Sequence, residues 1–149
     1  MSGLPAFSVR ERWNGLPPWA RWALALYLVG FLEGTGAHCL DLIRHGVHAY
    51  AFAPLPLQVL FVGLVVLDPL VVVLVGLVQA KGVPTASGVM VLDVTANWIA
   101  DWPWLQEDPS WLLRPVGLLP ITLFGLFVVA TSTPLYRVMA RPPRSALRA

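Results

Sequence analysis

Long apolar runs alternate with short polar connections along this chain. Four runs each hold about 20 mostly apolar residues, the length that a helix needs to cross the hydrocarbon core of a bilayer. They cover residues 19–40, 57–79, 83–102 and 116–136. The pattern predicts an all-α, polytopic membrane protein with four transmembrane helices in a single domain, 1–149. The first run lacks a small-residue cleavage site, so we expect it to be kept as a helix rather than removed as a signal peptide.

The connections between the runs indicate which helices are neighbours. Only residues 80–82 separate the second run from the third, and Pro84 follows them closely. So short a break predicts an antiparallel hairpin of the second and third helices. The longer connections, residues 41–56 and 103–115, are rich in prolines and aromatic residues and are expected to be loops or interfacial helices. The second one carries two of the chain's tryptophans and is expected to form a rigid interfacial cap or an aromatic wall for a cation.

Composition and the distribution of positive charge place and orient the bundle. The chain is 57% hydrophobic and 12% charged, which is too apolar for an ordinary soluble domain. Because cytoplasmic flanks accumulate lysine and arginine, we predict an integral protein of the cell inner membrane with both termini cytoplasmic and residues 137–149 as a basic cytoplasmic tail. The net charge of +2 reflects this bias and indicates no nucleic-acid partner. The cations assigned to the cytoplasmic side are Arg10, Arg12, Arg21, Lys81, Arg137, Arg141, Arg144 and Arg148, against Arg44 and Arg114 on the other.

Two aspartates interrupt the most apolar runs. Asp68 lies about 13 residues before Lys81 and Asp93 about 12 after it, so at about 1.5 Å per residue both sit roughly 18 to 20 Å from the turn. Glu33, about 14 residues into the first helix, reaches a similar depth. A carboxylate at bilayer depth costs roughly 2.5 kcal/mol or more and normally faces a partner helix or a polar cavity. The three acids are therefore expected to converge.

The neighbouring residues extend this predicted polar pocket. Asp93, Asn97 and Asp101 recur every four residues and form one stripe on a helix, directed toward the outer loop. We predict a pocket of Asp68, Asp93, Asn97, Glu33 and Asp101 that binds or translocates a proton, a cation or a small lipophilic molecule. The same polar residues suit hydrogen bonds between helices that only fix their packing.

Two other functions fit the same residues. One is an accessory subunit of a larger membrane complex, in which a partner chain would supply an arginine or lysine to the acids. The other is a small, isomerase-like membrane enzyme that uses the acids for general acid or base catalysis. Four helices leave little room for a private channel, so a homo-oligomer or a larger complex is also an open expectation.

A second set of titratable residues follows the first apolar run. His38, Asp41, His45 and His48 lie within roughly an 80° arc if the segment is helical. Imidazoles and a carboxylate at these spacings are suitable ligands for a divalent metal such as zinc. The alternatives are the polar side of an amphipathic interfacial helix and a pH-sensitive surface.

Sequence motifs add exclusions and one resemblance. The chain has no Walker loop, nucleophile elbow or dinucleotide fingerprint, and its one cysteine excludes a CxxC site. In helix number, the placement of the termini and the acids Glu33, Asp68 and Asp93, the chain resembles the EXPERA group of small four-helix membrane proteins. That resemblance implies an acid-lined intramembrane cavity for a lipophilic ligand. The order Glu33 then His38 differs from the histidine-then-glutamate order of that group's first helix, so no residue role is carried over.

Overall fold

The architecture is helical throughout the part of the chain that the structure describes. The structure is a computed structural model that describes residues 8–114 and 117–140. It confirms the predicted all-α class for these residues. The start of the fourth predicted span at residue 116 and the tail beyond residue 140 lie outside them. The helices are α1 (Val9–Gly15), α2 (Pro18–His45), α3 (Leu55–Gly76), α4 (Gly82–Glu107) and α5 (Leu118–Met139), with 3₁₀ turns at Gly46–His48 and Pro109–Leu113.

Three of these helices are long and apolar enough to cross a membrane. They are α2 with its 3₁₀ extension (Pro18–His48), α3 (Leu55–Gly76) and α5 (Leu118–Met139). Their length and composition support a membrane location. Among the described helices α4 does not reach the same hydropathy, because carboxylates, an amide and hydroxyl groups interrupt its apolar residues. The prediction of four spans is thus supported for three of them.

The helix ends differ from the predicted boundaries mainly in α2 and α4. α2 continues beyond residue 40 to His45, so most of the predicted histidine stripe is helical. α4 continues through Pro103 and ends at Glu107. A proline removes only one backbone donor, and the helix can continue where the carbonyl left without a partner is reached by other groups. α3 likewise runs through Pro69 without ending.

Each helix buries one stripe of side chains. In α3 the buried residues are Phe61, Leu64, Asp68, Val71 and Val75, which recur at intervals of three and four. This spacing keeps them on one face of the helix. The opposite faces carry exposed apolar residues such as Val59 and Val66, both more than half exposed. An apolar outer surface of this kind suits contact with lipid.

The helices pack in a closed ring. α2 lies against α3, α3 against α4 and α4 against α5, and a smaller contact between α5 and α2 completes the ring. Glycines permit the closest approaches. A Cβ atom at Gly30 of α2 would overlap the ring of Phe124 in α5, and one at Gly125 of α5 would lie 2.7 Å from Val94 Cγ2 in α4.

Hydrogen bonds fix this packing at two further points. The Tyr27 hydroxyl of α2 donates to the Val128 carbonyl of α5 at 2.6 Å and lies 2.9 Å from Thr131 Oγ1. The Trp13 indole N–H of α1 donates to the Gly76 carbonyl at the end of α3 at 2.9 Å. α5 therefore takes part in specific interhelical contacts, in addition to presenting an apolar surface to lipid.

The Tyr27 contact can be tested by removing its hydroxyl. We expect Tyr27→Phe to lower the free energy of unfolding by about 1 kcal/mol, because the hydrogen bond between α2 and the Val128 carbonyl of α5 is lost. Thermal or dodecyl sulfate unfolding of the purified protein in detergent micelles measures the change. Tyr136→Phe is the matched control, since Tyr136 is 48% exposed whereas Tyr27 is 0% exposed. Equal effects of the two substitutions would contradict the role given to the Tyr27 hydrogen bond.

Candidate functional site

The interior of the helix ring contains a cavity of about 630 Å³. It begins at the level of Gly30, Asp68 and Met90 and extends to the connection between α2 and α3 and to Gly117 at the start of α5. On the other side of this level, toward the α3–α4 connection, the interior is filled by fully buried residues such as Leu24, Val75 and Ala86. The cavity therefore occupies one half of the bundle and has close-packed side chains beneath it.

Asp68 lies at the bottom of the cavity and is 3% exposed. It is directed toward α2 at a position where α2 has no side chain, since a Cβ atom at Gly34 would lie 2.8 Å from Asp68 Oδ2. Within the described residues no hydrogen bond reaches its carboxyl group. The only side-chain oxygen or nitrogen there that is both fully enclosed and without a partner is Ser87 Oγ, so the Asp68 oxygens are not fully enclosed. The Asp68 oxygens consequently have access to the cavity space, where a ligand or water can meet them.

Asp93 forms the second buried carboxyl group, and it has a partner. It is 6% exposed. Asn97, one helical turn along α4, donates from Nδ2 to Asp93 Oδ1 at 2.8 Å and to the Asp93 backbone carbonyl at 2.9 Å. The four-residue spacing that the sequence shows therefore produces a direct contact. This contact fixes the orientation of the Asp93 side chain and leaves its second oxygen for other groups.

A hydrogen-bonded chain of three side chains lines the outer half of the cavity. The Tyr50 hydroxyl donates to Asp41 Oδ2 at 3.2 Å and lies 2.8 Å from His38 Nδ1. The Tyr50 ring also packs on Phe61 of α3, with 5.0 Å between ring centroids. Burial, and then the negative charge of Asp41, raise the pKa of the Tyr50 phenol above its usual range. Tyr50 therefore stays neutral and attaches the α2–α3 connection to both helices.

Aromatic side chains continue from this connection to α4 and to the segment after it. Phe52 packs on Trp104 of α4 with 5.1 Å between centroids, and Trp104 stacks on Trp111 at 5.4 Å. The Arg114 guanidinium lies 3.3 Å from the centroid of the Trp111 ring. The predicted aromatic cap is thus a stack that joins the α2–α3 connection to the segment after α4. Its outermost ring is already occupied by a cation from the protein itself.

The two predicted groups of polar residues line one cavity. All five residues of the predicted pocket line it, but to different degrees: Asp68 and Asp93 are buried, Asn97 and Asp101 are half-buried, and Glu33 is exposed. From the histidine stripe, His38, Asp41 and His45 also line it, while His48 lies in the exposed 3₁₀ turn and is not among the lining residues. The predicted acidic pocket and most of the predicted histidine stripe therefore belong to one cavity, and not to two separate sites.

The metal hypothesis gains no support from this arrangement. Within residues 8–114 and 117–140, no three side chains of histidine, cysteine, aspartate or glutamate come together as a metal-binding group. His38 and Asp41 instead share the Tyr50 hydroxyl. The hypothesis of a divalent metal at the histidine stripe stays a prediction.

Several cavity residues carried no signal that sequence reasoning could use. Tyr50 lies in a connection, and its position between His38 and Asp41 depends on how that connection folds back. Phe31, Phe61 and Phe124 form apolar walls but look like ordinary lipid-facing or core residues in the sequence. A small signal was present in Gly30 and Gly34, whose four-residue spacing marks one helix face that a neighbour can approach closely.

Comparison with known proteins adds no assignment. No family model, no curated protein and no solved structure matches this chain. The resemblance to the EXPERA group consequently rests on layout alone. The geometry of the cavity has to carry any proposal about function.

The close approach of α2 to Asp68 yields a test of the site. Gly34→Ala places a methyl group 2.8 Å from Asp68 Oδ2, so we expect the carboxyl group to turn away and any ligand that it holds to bind about tenfold or more weakly, an effect of about 1.4 kcal/mol. Gly36→Ala is the matched control, because nothing lies within 4 Å of its Cβ position on the same helix. Both substitutions raise helix propensity equally. If both variants bind alike, Gly34 does not position Asp68.

Proposed function

We propose that this protein binds a small lipophilic cation in the cavity between α2, α3, α4 and α5, within the cell inner membrane. Support comes from the single observation that Asp68 is 3% exposed and has no hydrogen-bond partner in the described residues. A buried carboxylate without a partner is strongly destabilising. A ligand that brings a positive charge and a hydrogen to Asp68 would remove that cost.

The charges of the cavity support a cation rather than an anion. Among the residues that the structure describes, five carboxyl side chains line it, and neither lysine nor arginine does. Their negative charge would repel anionic ligands and concentrate cations at the site. The five are Glu33, Asp41, Asp68, Asp93 and Asp101.

The size and the walls of the cavity support a lipophilic molecule. About 630 Å³ falls within the range of pockets that take small organic ligands. Phe31, Phe61, Met90 and Phe124 give the inner half apolar surfaces. The close-packed interior beneath Asp68 favours binding from one side over an open path for translocation. An accessory subunit would need its partner to insert a long basic side chain through the rim to reach Asp68, and the enzyme and homo-oligomer interpretations stay predictions.

The proposal includes α4 as a fourth membrane span, antiparallel to α3. Val91, Leu92 and Ile99 of α4 are apolar and more than half exposed, while its buried stripe contains Asp93. The residues that lower the hydropathy of α4 thus include ones that face the cavity and not the lipid. With α4 in the membrane, both termini and Lys81 would be cytoplasmic.

Labelling of single cysteines tests this topology. In a Cys39→Ser background, we expect a membrane-impermeant maleimide added to intact spheroplasts to label Ser110→Cys. Lys81→Cys and Ser8→Cys should react only after the membrane is permeabilised. Ser110 and Lys81 lie beyond opposite ends of α4. Labelling of both positions from the same side would show that α4 does not cross.

Three probes that share one hydrophobic skeleton test cation binding. They are 4-phenylbutylamine, 4-phenylbutanol and 4-phenylbutyrate, which present a cation, a neutral hydroxyl and an anion. We expect only the amine to stabilise the detergent-purified protein, by about 2.7 kcal/mol at a hundred times its Kd. Isothermal titration and thermal unfolding measure the binding and the stabilisation.

Substitution of Asp68 tests whether the amine binds at this residue. Asp68→Asn should abolish amine binding while the protein stays folded, because the asparagine keeps the volume and removes the charge. Glu107→Gln is the control, since Glu107 is an exposed acid at the end of α4 that does not line the cavity. Equal binding of all three probes to the wild type would overturn the proposed function.

A further inference from the structure

Two side-chain donors that line the cavity, Asn97 and Tyr50, are already used by the protein. Asn97 Nδ2 donates to two acceptors of Asp93, the backbone carbonyl at 2.9 Å and Oδ1 at 2.8 Å. The Tyr50 hydroxyl has one hydrogen, which goes to Asp41 Oδ2. Neither side chain can therefore donate to a ligand without breaking an existing bond.

The direction of the Tyr50 hydrogen bond also assigns the tautomer of His38. Its Nδ1 atom lies 2.8 Å from the Tyr50 oxygen, whose hydrogen is directed at Asp41. Nδ1 must then carry the hydrogen and donate it to Tyr50. In the neutral ring, Nε2 is left as an acceptor with a free lone pair. Tyr50 thus determines which ring nitrogen of His38 can accept a hydrogen bond.

Apart from the exposed His45, the polar atoms left over are acceptors when the carboxyl groups are ionised. They include both oxygens of Asp68, the second oxygen of Asp93 and Nε2 of His38, none of which has a hydrogen-bond partner among the described residues. These residues come from three different helices and line the same cavity. A ligand that matches them must supply several donors, and not only a positive charge.

We infer that the cavity recognises its cation by N–H donors, so that the ligand is a lipophilic primary ammonium or guanidinium compound and not a quaternary ammonium compound. The inference rests on the proposed function and adds the chemical class of the charged group. A primary ammonium presents three N–H donors and a guanidinium up to five, whereas a quaternary ammonium presents none. Aromatic walls alone would accept all three, because attraction between a cation and a ring needs no hydrogen bond.

The test compares probes that share one hydrophobic chain and differ in the charged head group and its number of N–H donors. They are 4-phenylbutylamine, 4-phenylbutylguanidine and 4-phenylbutyltrimethylammonium, titrated into the full-length protein in detergent. We expect the first two to bind about tenfold or more tighter than the third, because hydrogen bonds to charged groups are among the strong ones. If the quaternary compound binds as tightly as the amine, the inference is overturned and the proposed cation site still stands. If the amine binds no better than 4-phenylbutanol, the proposed function itself has failed.

A variant of His38 tests the second acceptor. His38→Phe removes Nε2 and keeps a ring at the position, so we expect the guanidine to lose several-fold in affinity while the quaternary compound keeps its own. His48→Phe is the control, because His48 is exposed and does not line the cavity. A uniform loss for all probes in His38→Phe would contradict the role of Nε2. The comparison of probes on the wild-type protein decides the inference even if this variant does not fold.

Discussion

The arrangement of the bundle depends on how it accommodates the carboxyl group of Asp68. An ionisable group on the buried stripe of an apolar helix needs space and polar contact that lipid cannot supply. α2 provides the space at Gly34, where the absence of a side chain lets the two helices approach with the carboxyl group between them. The interior changes character at this level. Toward the α3–α4 connection it is close-packed, and toward the α2–α3 connection it opens into the cavity.

The polar residues of the cavity are divided between those that hold each other and those that remain available. Asn97 is fully engaged with Asp93, and Tyr50 joins His38 to Asp41. These contacts orient side chains within one helix or between a helix and its connection. Asp68 stands apart because no such neighbour reaches it among the described residues. For the proposed ligand, fixed walls around a buried carboxyl group would make the cavity pre-organised, since the ligand would not have to order the side chains that surround it.

The sequence predicted much of the scaffold because its information was local. Apolar runs of sufficient length indicated the helices, and the four-residue spacing of Asp93 and Asn97 indicated a shared face that became a hydrogen bond. The equal depth of Asp68 and Asp93 followed from counting residues to the turn. The merger of this group with His38 was not predicted because the expected first helix ends near residue 40, whereas α2 continues to His45 and places Gly34 and His38 one turn apart on the cavity side. Local periodicity also could not show that α5 contributes Phe124 to the wall.

The division of the interior into a close-packed half and a cavity affects which residues can be substituted during evolution. The Tyr27 hydrogen bond lies in the close-packed half, while the side chains that line the cavity lie in the other. Substitutions at distant, independent sites have nearly additive effects on stability. Residues such as Phe61 and Ile121 could therefore be exchanged to suit a new molecule without weakening the helix packing beneath them. The half of the bundle that holds the cavity can therefore change its residues during evolution while the close-packed half keeps the same helix packing.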